Sequence, residues 1–164
     1  MKRIQILSLS ALLTLVTGCS ISTPFKWVDE HKRKSTLAEN QDEQLLVAVT
    51  HATIDATKRK LFDQGASRVI DSLLVQPGLI GYSVRRQLFG DEVWTATVWS
   101  DEASMLRFVQ SPAHLQAVKE SSAAIRNIDY TRIYMRRDEL PASWSRLLYA
   151  SQKKEQPASP QESE

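Results

Sequence analysis

Between Leu45 and Arg136 the spacing of apolar residues alternates between the period of a strand and that of a helix. The order of those changes restricts the fold more than any other feature of the chain. Leu45-Leu46-Val47-Ala48-Val49-Thr50 is a compact apolar run with β-branched residues, the pattern of a strand. From Ile54 the period lengthens. Leu61, Phe62, Ala66, Val69, Ile70, Leu73 and Leu74 fall on one helical face, with Lys58, Arg59, Asp63, Gln64, Arg68 and Asp71 largely opposite. Thr53 or Asp55 can cap the start of this helix. Gln76-Pro77-Gly78 ends it, because proline has no amide hydrogen to donate and glycine suits a turn. Leu79–Leu88 and Glu92–Trp99 read as two strands joined through Phe89-Gly90-Asp91. Ser100 or Asp101 then caps a second helix whose first turn carries acids, as the helix dipole favours. Met105, Leu106, Phe108 and Val109 supply its apolar side. Ser111-Pro112 breaks it, and Pro112 opens a further helix to about Ala124. Asn127–Arg136 is a last strand, and Leu140–Tyr149 a short packing helix.

The order β-α-β-β-α-β predicts an α+β, ferredoxin-like βαββαβ fold, with an antiparallel sheet and both helices on one face. The other face needs cover. A domain spanning residues 44–150 has no second layer to spare, so the expectation is a homodimer in which a partner subunit covers that face.

The ends of the chain read differently. Lys2 and Arg3 precede Ile4–Val16, an apolar run of 13 residues interrupted only by Gln5, Ser8, Ser10 and Thr14, short for a membrane span and suited to a signal peptide. Val16-Thr17-Gly18-Cys19 resembles the lipobox of bacterial lipoproteins. That resemblance implies cleavage before Cys19, acylation of Cys19, and attachment to a membrane through it. Ser20, where inner-membrane lipoproteins carry Asp, implies the outer membrane, with the domain facing the periplasm. Several acyl chains anchor a protein stably where one is marginal. With residues 1–18 removed, Lys+Arg falls from 21 to 19 against 19 Asp+Glu, so a nucleic-acid partner is not expected. One cysteine allows no internal disulfide. Residues 19–43 read as a polar tether and 151–164 as a disordered tail.

Three stretches resemble the antibiotic biosynthesis monooxygenase-like superfamily of dimeric α+β barrels. They are Pro77-Gly78-Leu79-Ile80-Gly81-Tyr82-Ser83, Trp94-Thr95-Ala96-Thr97-Val98-Trp99-Ser100, and Phe108 followed by Ser111-Pro112-Ala113-His114. The resemblance spans about Leu45 to Arg136. It implies a dimeric barrel and admits quinone-forming oxygenases that use no cofactor, haem-degrading enzymes, and proteins of other roles. When Trp99 is placed on the strand-ending tryptophan of the haem-degrading branch, Phe108 stands where that branch has a distal tryptophan. Val118 stands where it has the haem-ligating histidine, with His114 one helical turn earlier. No cofactor is expected on this basis.

Oxygenation without a cofactor needs a base or cation beside a dry, aromatic-lined cavity. His51, His114, Arg85, Arg86, Tyr82, Trp94, Trp99 and Phe108 supply such groups. Among them His114 is the candidate catalytic base, and Tyr82, Arg85, Trp99 and Phe108 are the candidate ligand-binding residues. Each also has a plain structural reading. His114 can satisfy a backbone carbonyl after the helix break, Trp99 can clamp a strand to a helix, and Arg85 can form an ion pair across subunits. Two-His or CxxC metal clusters, phosphate-binding glycine loops and a G-x-S-x-G elbow do not occur. Two functional readings remain: an envelope lipoprotein whose barrel binds a small ligand, such as an aromatic one, or a partner, and a cofactor-independent monooxygenase of a small aromatic or quinol substrate.

Overall fold

The computed structural model describes residues 19–28 and 43–155. The signal segment over 1–18, residues 29–42 of the expected tether, and residues 156–164 of the expected tail lie outside the described residues. Among the described residues six strands form one sheet: β1 (Ser20–Ser22), β2 (Lys26–Trp27), β3 (Gln44–Ile54), β4 (Leu79–Gln87), β5 (Glu92–Trp99) and β6 (Ile125–Arg136). The helices are α1 (Arg59–Leu73), α2 (Glu102–Val109), α3 (Pro112–Ser121) and α4 (Trp144–Glu155). The sheet order is β1-β4-β5-β3-β6, with β2 also on β4 and every pairing antiparallel. Without β1 and β2 this is the ferredoxin-like order that the periodicity predicts.

The punctuation in the sequence acts where it was expected. Asp55 accepts from the Thr57 amide at 3.0 Å and caps the one-turn 3-10 segment that leads into α1. Asp101 accepts from the Ser104 amide at 2.7 Å and caps α2, while Ser111 accepts from the His114 amide at 3.3 Å and caps α3. The turn at Gly78 has φ 86°, a left-handed conformation open to glycine. A Cβ there would also lie 2.3 Å from Ser104 Oγ, so the turn and the start of α2 approach closely only because Gly78 has none.

Two apolar layers follow from strand alternation. On the helix side Leu46, Tyr82 and Trp99 pack with Leu73 of α1 and with Met105 and Phe108 of α2. On the outer side Leu45, Val47, Val49, Ala96, Val98, Ile133 and Met135 are buried. The outer side is the one for which the sequence predicts a partner subunit, and the chain itself covers part of it. Leu140, Ala142, and Trp144, Leu147 and Ala150 of α4 pack there, as do Phe25 and Trp27 from the N-terminal segment. Arg137 fixes where that C-terminal cover begins. It is buried, its guanidinium meets Glu43 at 2.7 Å, and its amide donates to the Glu43 carbonyl at 2.9 Å.

Both ends therefore carry more structure than their polar composition predicts. Residues 20–27, expected as tether, run along β4, with Ser22 opposite Arg85 and Trp27 opposite Gly81. A Cβ on Gly81 would lie 2.5 Å from the Phe25 ring, so the missing side chain makes the seat for that ring. Residues 151–155, expected as tail, complete α4. The reasons differ at the two ends. Phe25 and Trp27 order the first by packing on an apolar surface, whereas residues 151–155 only continue a helix that Trp144, Leu147 and Ala150 already fasten to the sheet.

Candidate functional site

The sheet divides the residues singled out in the sequence. Tyr82, Trp99, Phe108 and His114 come together on the helix side. The Trp99 and Phe108 ring centroids are 5.5 Å apart, and Phe108 meets His114 edge-on at 4.8 Å. Trp99 is 0% exposed, and its indole N–H donates to Thr97 Oγ1 at 2.9 Å. Tyr82 and Phe108 are also buried, and Lys26 Nζ stands 5.8 Å from the Tyr82 ring centroid. The group forms packed core, with Leu46, Leu73, Leu79 and Met105 filling the space between the rings. His114 is half-buried on the first turn of α3. Burial lowers its pKa below the ordinary imidazole value, and the nearby Val109 carbonyl opposes that shift without reversing it. Its Nδ1 is buried without a hydrogen-bond partner.

A cavity of about 400 Å³ lies on the outer side. Its floor is Val47, Ala96 and Val98 of the sheet, and its roof is Leu140, Pro141, Ala142, Trp144 and Leu147. Ser22, Thr23 and Phe25 close one flank. The walls are mostly apolar, as a small-molecule site requires, and the volume falls in the range of such sites, about 300–1,000 Å³. Its polar groups are few. Ser83 Oγ is buried; it donates to the Thr23 carbonyl at 2.9 Å and accepts from the Trp144 indole N–H at 3.1 Å. That bond holds the first turn of α4 against β4 and sets the roof height.

Beyond the cavity the same sheet face turns polar and aromatic. Arg85 lies two residues past Ser83 on β4, opposite Ser22 on one side and Trp94 on the other. The Arg85 guanidinium carbon is 5.6 Å from the Trp94 ring centroid. His51 stacks on the other side of this row, 4.9 Å from Trp94 with an interplanar angle of 6°. His51 also bonds the Glu92 carboxylate, which accepts from Thr53 Oγ1 at 3.2 Å. Among the described residues no three His, Cys, Asp or Glu side chains gather to hold a metal ion.

Of the predicted site residues, Arg85 alone stands beside the cavity, while Tyr82, Trp99, Phe108 and His114 are separated from it by the sheet. Sequence reasoning missed the roof and the N-terminal flank. A signal for the flank was present: Phe25 and Trp27 alternate with Lys26 in an otherwise polar stretch.

Residues 45–120 match the family model described as antibiotic biosynthesis monooxygenase. That span runs from β3 through α3 and leaves out Phe25 and the whole cavity roof. No curated protein matches the chain. Solved structures resemble it in fold. A Lactobacillus acidophilus protein has 11% identity and a TM-score of 0.52, over 58% of this chain and 46% of its own, so the likeness covers less than half of that protein. A Pseudomonas aeruginosa protein has 13% identity and a TM-score of 0.53, over 57% of this chain and 96% of its own. A variant of SnoaB, a cofactor-independent oxygenase from Streptomyces nogalater, has 19% identity and a TM-score of 0.51, over 59% of this chain and 97% of its own. The chain thus has the ferredoxin-like α+β fold of these structures, and its residues 45–120 carry the sequence pattern of the antibiotic biosynthesis monooxygenase family.

Proposed function

We propose that this protein is a lipid-anchored domain of the bacterial envelope that binds a small, largely apolar molecule. The cavity between β3, β4, β5 and the 140–147 segment carries the reading. It is large enough for a ligand and apolar along floor and roof, and its Ser83 hydroxyl is already engaged. Binding is favoured over oxygenation because a proton-abstracting base has to reach the substrate; His114 lies across the sheet from the cavity, and His51, on the cavity's face, is four residues along β3 from the floor at Val47 and bonded to Glu92. The name of the SnoaB neighbour keeps oxygen chemistry as the alternative, with a quinol or phenol as substrate.

Calorimetric titration of the purified protein with small phenols, quinols and aromatic acids tests the reading. Ala142→Trp adds an indole to the roof from its half-exposed side and is expected to weaken binding at least tenfold without unfolding the protein. Unchanged affinity in that variant, or no binding by any probe, would overturn the reading. Oxygen uptake with a bound quinol, lost in His114→Ala, would favour the oxygenase instead.

The anchor is supported by the lipobox-like Gly18-Cys19 and by the place of Cys19 in the fold. The Leu88 amide donates to the Cys19 carbonyl at 2.9 Å, extending the β1–β4 register by one pair. An acyl chain on Cys19 would leave the domain beside Leu88 and Phe89, which is 74% exposed. Phe89 would then meet the lipid surface. Cys19→Ala is expected to move the protein from the membrane to the soluble fraction, and retention on membranes would overturn the lipoprotein reading.

A further inference from the structure

Among the described residues Arg85, beside the cavity, has no counter-ion. Its Nε is buried and finds no acceptor among the described residues. Glu92, two residues from Trp94 on β5, is held by His51 and Thr53, and Asp129, at the far end of the row opposite His51, accepts from the Asn127 side chain. A buried guanidinium N–H that loses water and gains no acceptor is costly, so such a group is retained where an acceptor arrives from elsewhere. The neighbours of Arg85 tie it to the cavity. Ser22, opposite it on β1, and Ser83, two residues or about 7 Å behind it on β4, both line the cavity. Trp94, opposite it on β5, is two residues from Ala96 on the floor. Side chains directly opposite each other across antiparallel strands lie within contact reach, with Cβ atoms about 4.5–5.5 Å apart. The Trp94 ring holds the guanidinium over the sheet, which limits its freedom before any ligand arrives.

We infer that the cavity and Arg85 make one site for an amphipathic carboxylate. Its apolar body lies over Ala96 and Val98, and its carboxylate meets the Arg85 guanidinium beside the Ser22 hydroxyl. This rests on the ligand-binding reading above and adds the chemical class of the ligand. Carboxylate is the fitting head group because a planar guanidinium offers it two parallel donors. A neutral amide offers one acceptor and no charge, and an amine is repelled. Arg86 does not compete, because strand alternation sends it to the helix side with Val84.

The test uses the purified full chain and the probe 4-phenylbutyrate beside its neutral isostere 4-phenylbutanamide, at neutral pH and fixed salt. Decanoate serves as a second carboxylate of different body. The expected result is that 4-phenylbutyrate binds about tenfold or more tightly than the amide, as a charge-assisted hydrogen bond requires. Arg85→Gln is expected to remove that gap while leaving the affinity of the amide within about twofold. The tighter of the two acids then identifies the apolar body as ring or chain. Equal binding of acid and amide by the unaltered protein overturns the carboxylate site and leaves the ligand-binding reading standing. Failure of every probe overturns both. A gap that survives Arg85→Gln places the carboxylate elsewhere and overturns the assignment. So does a dimer that Arg85→Gln converts to a monomer with no preference for acids, because Arg85 would then be paired in a second copy of the chain. The comparison of acid with amide needs no variant, so it holds even if Arg85→Gln unfolds.

Discussion

Trp99→Ala separates packed core from binding wall most directly. Trp99 is 0% exposed, packs against Phe108 at 5.5 Å, and lies in the helix-side cluster away from the cavity. Truncating a buried tryptophan to alanine costs about 3–5 kcal/mol through lost transfer energy and the hole left behind. The aromatic pair with Phe108, about 0.5–1.5 kcal/mol, is contained in that cost. The lost hydrogen bond to Thr97 costs little, because Thr97 is half-exposed and water can replace the indole N–H. The expected loss is therefore about 4 kcal/mol, a large part of the roughly 5–15 kcal/mol that holds a domain together. In a urea titration followed by circular dichroism, with a slope of about 2 kcal/mol per molar, the midpoint falls by about 2 M. Trp99→Phe keeps one ring and is expected to lose roughly a third as much. Ligand affinity, measured on the folded Trp99→Phe protein, stays within about twofold of the unaltered chain. A midpoint shift smaller than about 0.5 M together with lost ligand affinity would refute the core assignment and restore Trp99 as a wall of the site.

Two further outcomes follow from the same packing. Gly65 of α1 faces α3 so closely that a Cβ would lie 2.5 Å from Ser121 Cβ, so Gly65→Leu is expected to separate the two helices and lower stability by about 2 kcal/mol or more; a thermal midpoint unchanged within a degree would contradict this. Burial lowers the folded pKa of His114 below its ordinary value of 6.5, so the unfolded chain takes up the proton more readily. The contribution of this group to stability is full above pH 6.5 and falls as the pH drops below it. Measured by urea unfolding at pH 8 and pH 5, His114→Leu is expected to lose less stability on acidification than the unaltered protein, and an equal loss in both would show that His114 stays accessible to protons when folded.

The sequence by itself determined the framework between Leu45 and Arg136. Alternation in Leu45–Thr50 and the wider period from Leu61 to Leu74 are imposed by which side chains share a face, so they survive as a readable pattern. Asp55 and Asp101 were legible as caps because a cap acts over three residues, and the Pro77-Gly78 turn because its backbone is restricted locally. Strand alternation puts Arg85 and Tyr82 on opposite faces of β4. Tertiary structure alone decided which side of the sheet holds space. Trp99, Phe108 and His114 have the residue types of a site wall, but α2 and the neighbouring Leu46, Leu73 and Met105 leave them no room. The cavity exists because residues far apart in the chain meet across the sheet: Phe25 seated on Gly81, Trp144 bonded to Ser83, and Arg137 fastened to Glu43 at the start of β3. Local periodicity reports the face on which a residue sits. It does not report what arrives to cover that face, because that depends on contacts between segments more than 50 residues apart.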